Sequence, residues 1–125
     1  MVPVALAAVL TLAGCGGKTT YKLQPTKACL AKQSGLKLRP VVRRIDFVAY
    51  SATRGAISVL LRKNEVTISF GENEAEAQRL AAGYRRFRGK NIGIEDVLKP
   101  KNNAVMLWKA HPSVQDLSTI DNCLK

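Results

Sequence analysis

Three thiols, one imidazole and a surplus of cations are the chemical resources of this chain. Cys15, Cys29 and Cys123 could serve as nucleophiles, metal ligands or disulfide partners. Cys29 and Cys123 are 94 positions apart, have no Cys-x-x-Cys spacing and have no adjacent His, which argues against a redox centre. His111 is the sole histidine and precedes Pro112 and Ser113 at a predicted helix start. Neighbours in sequence at such a start do not automatically present a nucleophile and a base to one another, and a partly exposed cap is the ordinary role of a histidine there. Glu72, Glu74 and Glu76 cluster at another predicted helix start, where capping and the helix dipole account for carboxylates. There is no Gly-x-Ser-x-Gly elbow, His-Glu-x-x-His helix or P-loop. Neither a metal nor another cofactor is expected.

Cys15 stands in different surroundings. Val2 to Leu12 is an almost unbroken apolar run, too short to cross a bilayer, which needs about eighteen residues or more. It ends in small residues, as a secretory signal does. Leu12-Ala13-Gly14-Cys15 resembles the lipobox of bacterial lipoproteins. The resemblance covers the first fifteen residues and departs from the usual signal in lacking Lys or Arg at its start. It implies that residues 1–14 are a signal peptide and that Cys15 receives a diacylglyceryl thioether. It also implies that the new amino terminus is acylated, as with palmitate, and that the protein is exported and lipid-anchored on the outer face of a bacterial membrane. Residues 15–24 then form a polar tether reaching at most about 30 Å, and residues 25–125 a single domain. With Cys15 acylated, Cys29 and Cys123 are an even pair outside the cytoplasm, where a disulfide is favoured. Closing so long a loop is worth about 4 to 5 kcal/mol on a chain-entropy argument.

The elements that must position these residues read as α+β. Pro25 to Gln33 has a helix starter, helix formers and a Ser34-Gly35 stop, and Leu36-Lys37-Leu38 alternates as a short strand. In residues 41–55, Ile45, Val48, Ala49 and Ala52 have helical spacing, whereas Ile45, Phe47 and Ala49 alternate as a strand would. Two alanines and Arg54-Gly55 favour the helix. Ala56–Leu61 and Glu65–Phe70 form a hairpin with one solvated side, turned at Arg62-Lys63-Asn64, where Asn64 suits the left-handed region. Asn73 and Glu76 open a long helix with the stripe Ala77, Leu80, Ala81, Tyr84 and Phe87. Residues 90–103 read mostly as connection, Val105–Trp108 as a central strand, and Ser113 with Asp116 as the start of a last helix whose apolar side is Val114, Leu117, Ile120 and Leu124. This order predicts a small ferredoxin-like, split βαβ sandwich of three or four strands with flanking helices.

Charge is the remaining signal. All 20 Lys and Arg and all nine Asp and Glu lie from Lys18 onward, for a net +11. Arg62, Lys63, Arg79, Arg85, Arg86, Arg88 and Lys90 are the candidates for an anionic-surface site, and the hairpin tip and Lys99–Asn103 are the loops where contacts are expected. Few aromatics remain outside the predicted core and no recognition helix is evident, so nucleic acid is not the expected partner. The expected function is a membrane-anchored, non-enzymatic binding or structural module for anionic lipids, acidic wall polymer or an envelope protein. The alternative, an envelope enzyme or enzyme accessory, would require a deep pocket gathering His111, an acidic residue and an arginine.

Overall fold

The computed structural model describes residues 19–88 and 93–125; Cys15, the signal run and Lys90 lie outside them. In chain order the elements are α1 (Leu23–Ala31), β1 (Lys37–Pro40), α2 (Phe47–Tyr50), β2 (Ala56–Leu60), β3 (Glu65–Phe70), α3 (Glu74–Arg88), α4 (Ile94–Val97), β4 (Leu98–Lys101), β5 (Ala104–Trp108) and α5 (Val114–Asp121). The strands form one open, antiparallel five-stranded sheet in the order β1-β2-β3-β5-β4.

Helix lengths explain this order. The four residues of α2 rise only about 6 Å, so β2 returns from the end of the sheet where β1 left, and the two pair antiparallel. The fifteen residues of α3 rise about 22 Å, enough to carry the chain back along the whole sheet. β4 therefore runs parallel to β3, with β5 inserted between them. One split βαβ unit is present. The ferredoxin-like arrangement interleaves two, and β4, which the sequence reading left in a connection, takes the position expected for the Val105–Trp108 strand.

Alternation along the strands separates two cores. Val66, Ile68 and Phe70 share one face with Ile57, Val59, Met106 and Trp108, and Leu30 of α1 and Ile120 of α5 seal it. Cys29 and Cys123 are bonded on this side, their Cα atoms 5.3 Å apart. On the opposite face Val105, Leu107 and Leu98 pack beneath Ala77, Leu80, Ala81 and Tyr84 of α3, with Val48 and Ala52 beside them. Every residue of β5 is buried, which is why its sequence is a continuous apolar run. Both outer strands, Lys37-Leu38-Arg39-Pro40 and Leu98-Lys99-Pro100-Lys101, carry a proline and cations. Such residues discourage further strand pairing at an edge.

The chain joins the domain earlier than residue 25. Asn103, fully enclosed, accepts from the Tyr21 amide at 2.6 Å and donates to the carbonyls of Tyr21 and Gly71, both at 2.8 Å. Asn102 donates to the Thr19 carbonyl at 3.0 Å, and the Lys22 amide donates to the Lys125 carbonyl at 2.6 Å. Lys99–Asn103, expected as part of a connection, is thus the end of a strand and a turn that fixes the N-terminal segment.

Other local expectations shift for identifiable reasons. Of the predicted helix in residues 41–55 only one turn forms; Asp46 caps it by accepting from the Ala49 amide at 2.9 Å, and Ile45, ahead of the cap, is 71% exposed. Among the described residues, the non-glycine residue with positive φ is Asn102 at 54°, not Asn64. Asn64 spends its side chain bridging the hairpin tip to Ala110, accepting at 3.0 Å and donating at 2.9 Å. Glu76 closes the start of α3 one residue out of register: it accepts from the Glu72 amide, while Asn73 accepts from the Glu76 amide. Phe87 and Val114 end on exposed surfaces. Among the described residues no helix is long and apolar enough to cross a membrane.

Candidate binding groove

The second face of the sheet is covered over half its width. α3 lies over β3, β5 and β4, while the β1–β2–β3 half is left open. Pairing register puts Arg39, Ser58, Thr67 and Leu107 in one row across four strands. Lys37, Leu60 and Glu65 form the next row, and the Lys109 amide donates to the Glu65 carbonyl at 2.8 Å to extend it. From these rows Arg39, Ser58, Thr67, Leu107, Glu65 and Lys109 floor a groove of about 420 Å³, walled by Val41, Val42 and Ile45 from the segment between β1 and α2, with Asp46 also in its lining.

Each part of the groove has a local cause. Ser58 and Thr67 sit at the polar positions of the alternating hairpin, and Ser58 Oγ donates to Glu65 Oε2 at 3.0 Å. The wall is pinned by Asp46, whose second carboxylate oxygen accepts from the Tyr84 hydroxyl of α3 at 2.8 Å. That bond draws α2 against α3 and leaves Val42 and Ile45 protruding, 44% and 71% exposed. Beyond them the apolar surface continues: Phe47 and Phe87 meet edge to face at 4.7 Å, Tyr50 is exposed, and the Arg86 guanidinium stands 5.6 Å from the Phe87 ring. A smaller hollow of about 350 Å³ between α2 and α3 is lined by Thr53, Glu76, Arg79 and Gly83. Burial opposes ionisation of Glu76. Hydrogen bonds from the Glu72 and Thr53 amides and from the Thr53 side chain, with the nearby charge of Arg79, outweigh it and hold the carboxyl below its ordinary value.

The basic residues picked out from sequence fall in different local settings. Arg62 and Lys63 are exposed at the β2–β3 turn. Arg79 borders the α2–α3 hollow and Arg86 lies by Phe87. Arg85 is consumed by a forked pair with Glu95, at 2.6 and 3.1 Å; its hydrogen bonds raise the Arg85 pKa and lower that of Glu95. Arg88 ends α3. His111 is exposed, its Nδ1 2.7 Å from Asp96 Oδ1, and it does not line the groove. Among the described residues no three His, Cys, Asp or Glu side chains gather as a metal site.

Arg39, Lys109, Val42 and Ile45 were missed as groove residues because their grouping depends on strand register and on the short α2. The solvated side of the β2–β3 hairpin was the readable signal for the floor. Compared with known proteins, the chain matches no family model, no curated protein and no solved structure.

Proposed function

We propose that the chain is an exported, lipid-anchored binding module whose working surface is the open half of the sheet and which holds an anionic or protein component of the cell envelope. The observation that carries the binding half is the groove itself: a polar, cation-rimmed floor beside protruding aliphatic side chains, on a face whose other half is fully covered. Concave sites of this size, with a few polar groups among apolar walls, are the usual form of a ligand site. The lipobox-like Leu12-Ala13-Gly14-Cys15 and the Cys29–Cys123 bond both suit an oxidising, extracytoplasmic setting. On this reading the tether is Cys15 to Lys18, about 13 Å when extended, because Thr19 is already bound to the domain.

Intact mass and detergent partitioning of the protein from its native membrane test the anchor. A chain beginning at acylated Cys15 is expected, and Cys15→Ser should yield unprocessed, unacylated precursor. A water-soluble product with an unmodified Cys15 would remove the anchor from the proposal.

A further inference from the structure

We infer that the groove receives an extended acidic segment of a partner protein, its carboxylates set against Arg39 and Lys109 and its apolar side chains against Val42 and Ile45. The inference rests on the reading of the chain as a binding module and names the partner of that surface.

Three observations converge. The first is charge: the groove is lined by two cations, Arg39 and Lys109, and two carboxylates, and both carboxylates are already engaged, Glu65 accepting from Ser58 and Asp46 from the Ala49 amide and the Tyr84 hydroxyl. Arg39 and Lys109 are in no ion pair among the described residues, so their charge is free for a ligand. The second is the apolar wall. A phosphate polymer or a simple anion has nothing with which to cover Val42 and Ile45, whereas a protein segment alternating acidic and aliphatic side chains satisfies both rim and wall. Exposed aromatics beside an arginine, as at Tyr50, Phe47, Phe87 and Arg86, extend that wall with the residue types enriched at protein interfaces.

The third observation is placement. Thr19 is held at Asn102 in the β4–β5 turn, whereas the groove crosses the sheet from Arg39 on β1 to Leu107 and Lys109 at the other end of β5. At about 3.4 Å per residue, the run from that turn to Leu107 is roughly 17 Å. A concave surface so far along the strands from the anchored turn is poorly placed to lie flat on the anchoring membrane. Pro40 and the charged residues of β1 also disfavour strand addition at that edge, so the segment lies across the face and does not extend the sheet.

The test uses the full-length chain in detergent with four probes: a short alternating Asp–Leu peptide, its Asn–Leu counterpart, linear polyphosphate, and phosphatidylcholine vesicles doped with phosphatidylglycerol. The Asp–Leu peptide should bind, losing affinity as salt rises. The Asn–Leu peptide should bind roughly tenfold more weakly or worse, and Arg39→Gln with Lys109→Gln, or Ile45→Ser alone, should each cost the Asp–Leu peptide a comparable factor. Arg62→Gln with Lys63→Gln should leave its affinity unchanged. Equal binding of the two peptides, or no binding of either, overturns the inference. Polyphosphate binding as tightly and indifferent to Ile45→Ser would point to an acidic polymer, and binding to the vesicles alone to a membrane surface; either also overturns it. Should a variant lower the unfolding midpoint, chemical-shift mapping on the unaltered chain decides, with Ser58, Thr67 and Ile45 expected to move and shifts confined elsewhere counting against. Acylation of Cys15 is measured separately, so loss of this partner and loss of the anchor are distinguishable.

Discussion

Ser69 shows how much a single buried atom can matter. It lies on the helix-covered part of the sheet, fully enclosed, and its hydroxyl has no hydrogen-bond partner. An enclosed, unsatisfied polar group costs about 1 to 3 kcal/mol. Ser69→Ala should therefore raise stability by about 1 kcal/mol in urea unfolding; a clear loss would mean that the hydroxyl is satisfied in solution. Glu76 is the opposite case, an enclosed carboxylate with its partners in place. Its pKa is lower in the folded chain than the ordinary value of 4.5, so the unfolded chain binds the proton first as pH falls. Its contribution is complete above about pH 4.5 and is lost as pH drops through the lower, folded value. The stability gap between the protein and Glu76→Gln should accordingly narrow between neutral pH and pH 3, and a gap that stayed constant would assign Glu76 a purely steric role.

At the scale of elements, the cross-link between α1 and the residues following α5 is the strongest single constraint. The bond spans 94 positions and leaves only a short stretch of the described chain outside its loop. Replacing Cys29 and Cys123 together by Ser should lower the unfolding midpoint by more than about 10 °C, as expected for loss of roughly 4 kcal/mol in a domain near 100 residues. A scan showing an unchanged midpoint would mean that packing of Leu30 and Ile120 suffices. The pairing was legible in the sequence because parity and position indicate a disulfide without any knowledge of the fold. The β2–β3 hairpin and α3 were legible too, since Val66, Ile68 and Phe70 alternate cleanly and Ala77, Leu80, Ala81 and Tyr84 form a single stripe. β4 was not. Leu98-Lys99-Pro100-Lys101 is an outer strand, and the residues that keep it from pairing outward also make it read as a loop. The groove was hidden for a related reason: Arg39 lies on β1, Thr67 on β3 and Lys109 just past the end of β5, and only register brings them together.

For the molecule as a whole, the two ends of the described chain converge. The Lys22 amide meets the Lys125 carbonyl, and the Lys125 amide donates to Thr26 Oγ1 at 3.0 Å. A lipid at Cys15 would hold one of these ends, and a partner in the groove would grip the sheet between them. The covalent loop then has a mechanical meaning. Tension applied between the N-terminal segment and Lys125 passes from α1 through the sulfur–sulfur bond, and the sheet enclosed by that loop is bypassed by the load. Drawn out by its ends in an optical trap, the oxidised protein should lengthen only by the short stretches outside the bond. After reduction the same pull should release roughly 330 Å of additional contour. A load carried between the two chain ends thus meets a covalent shortcut that leaves the enclosed sheet folded.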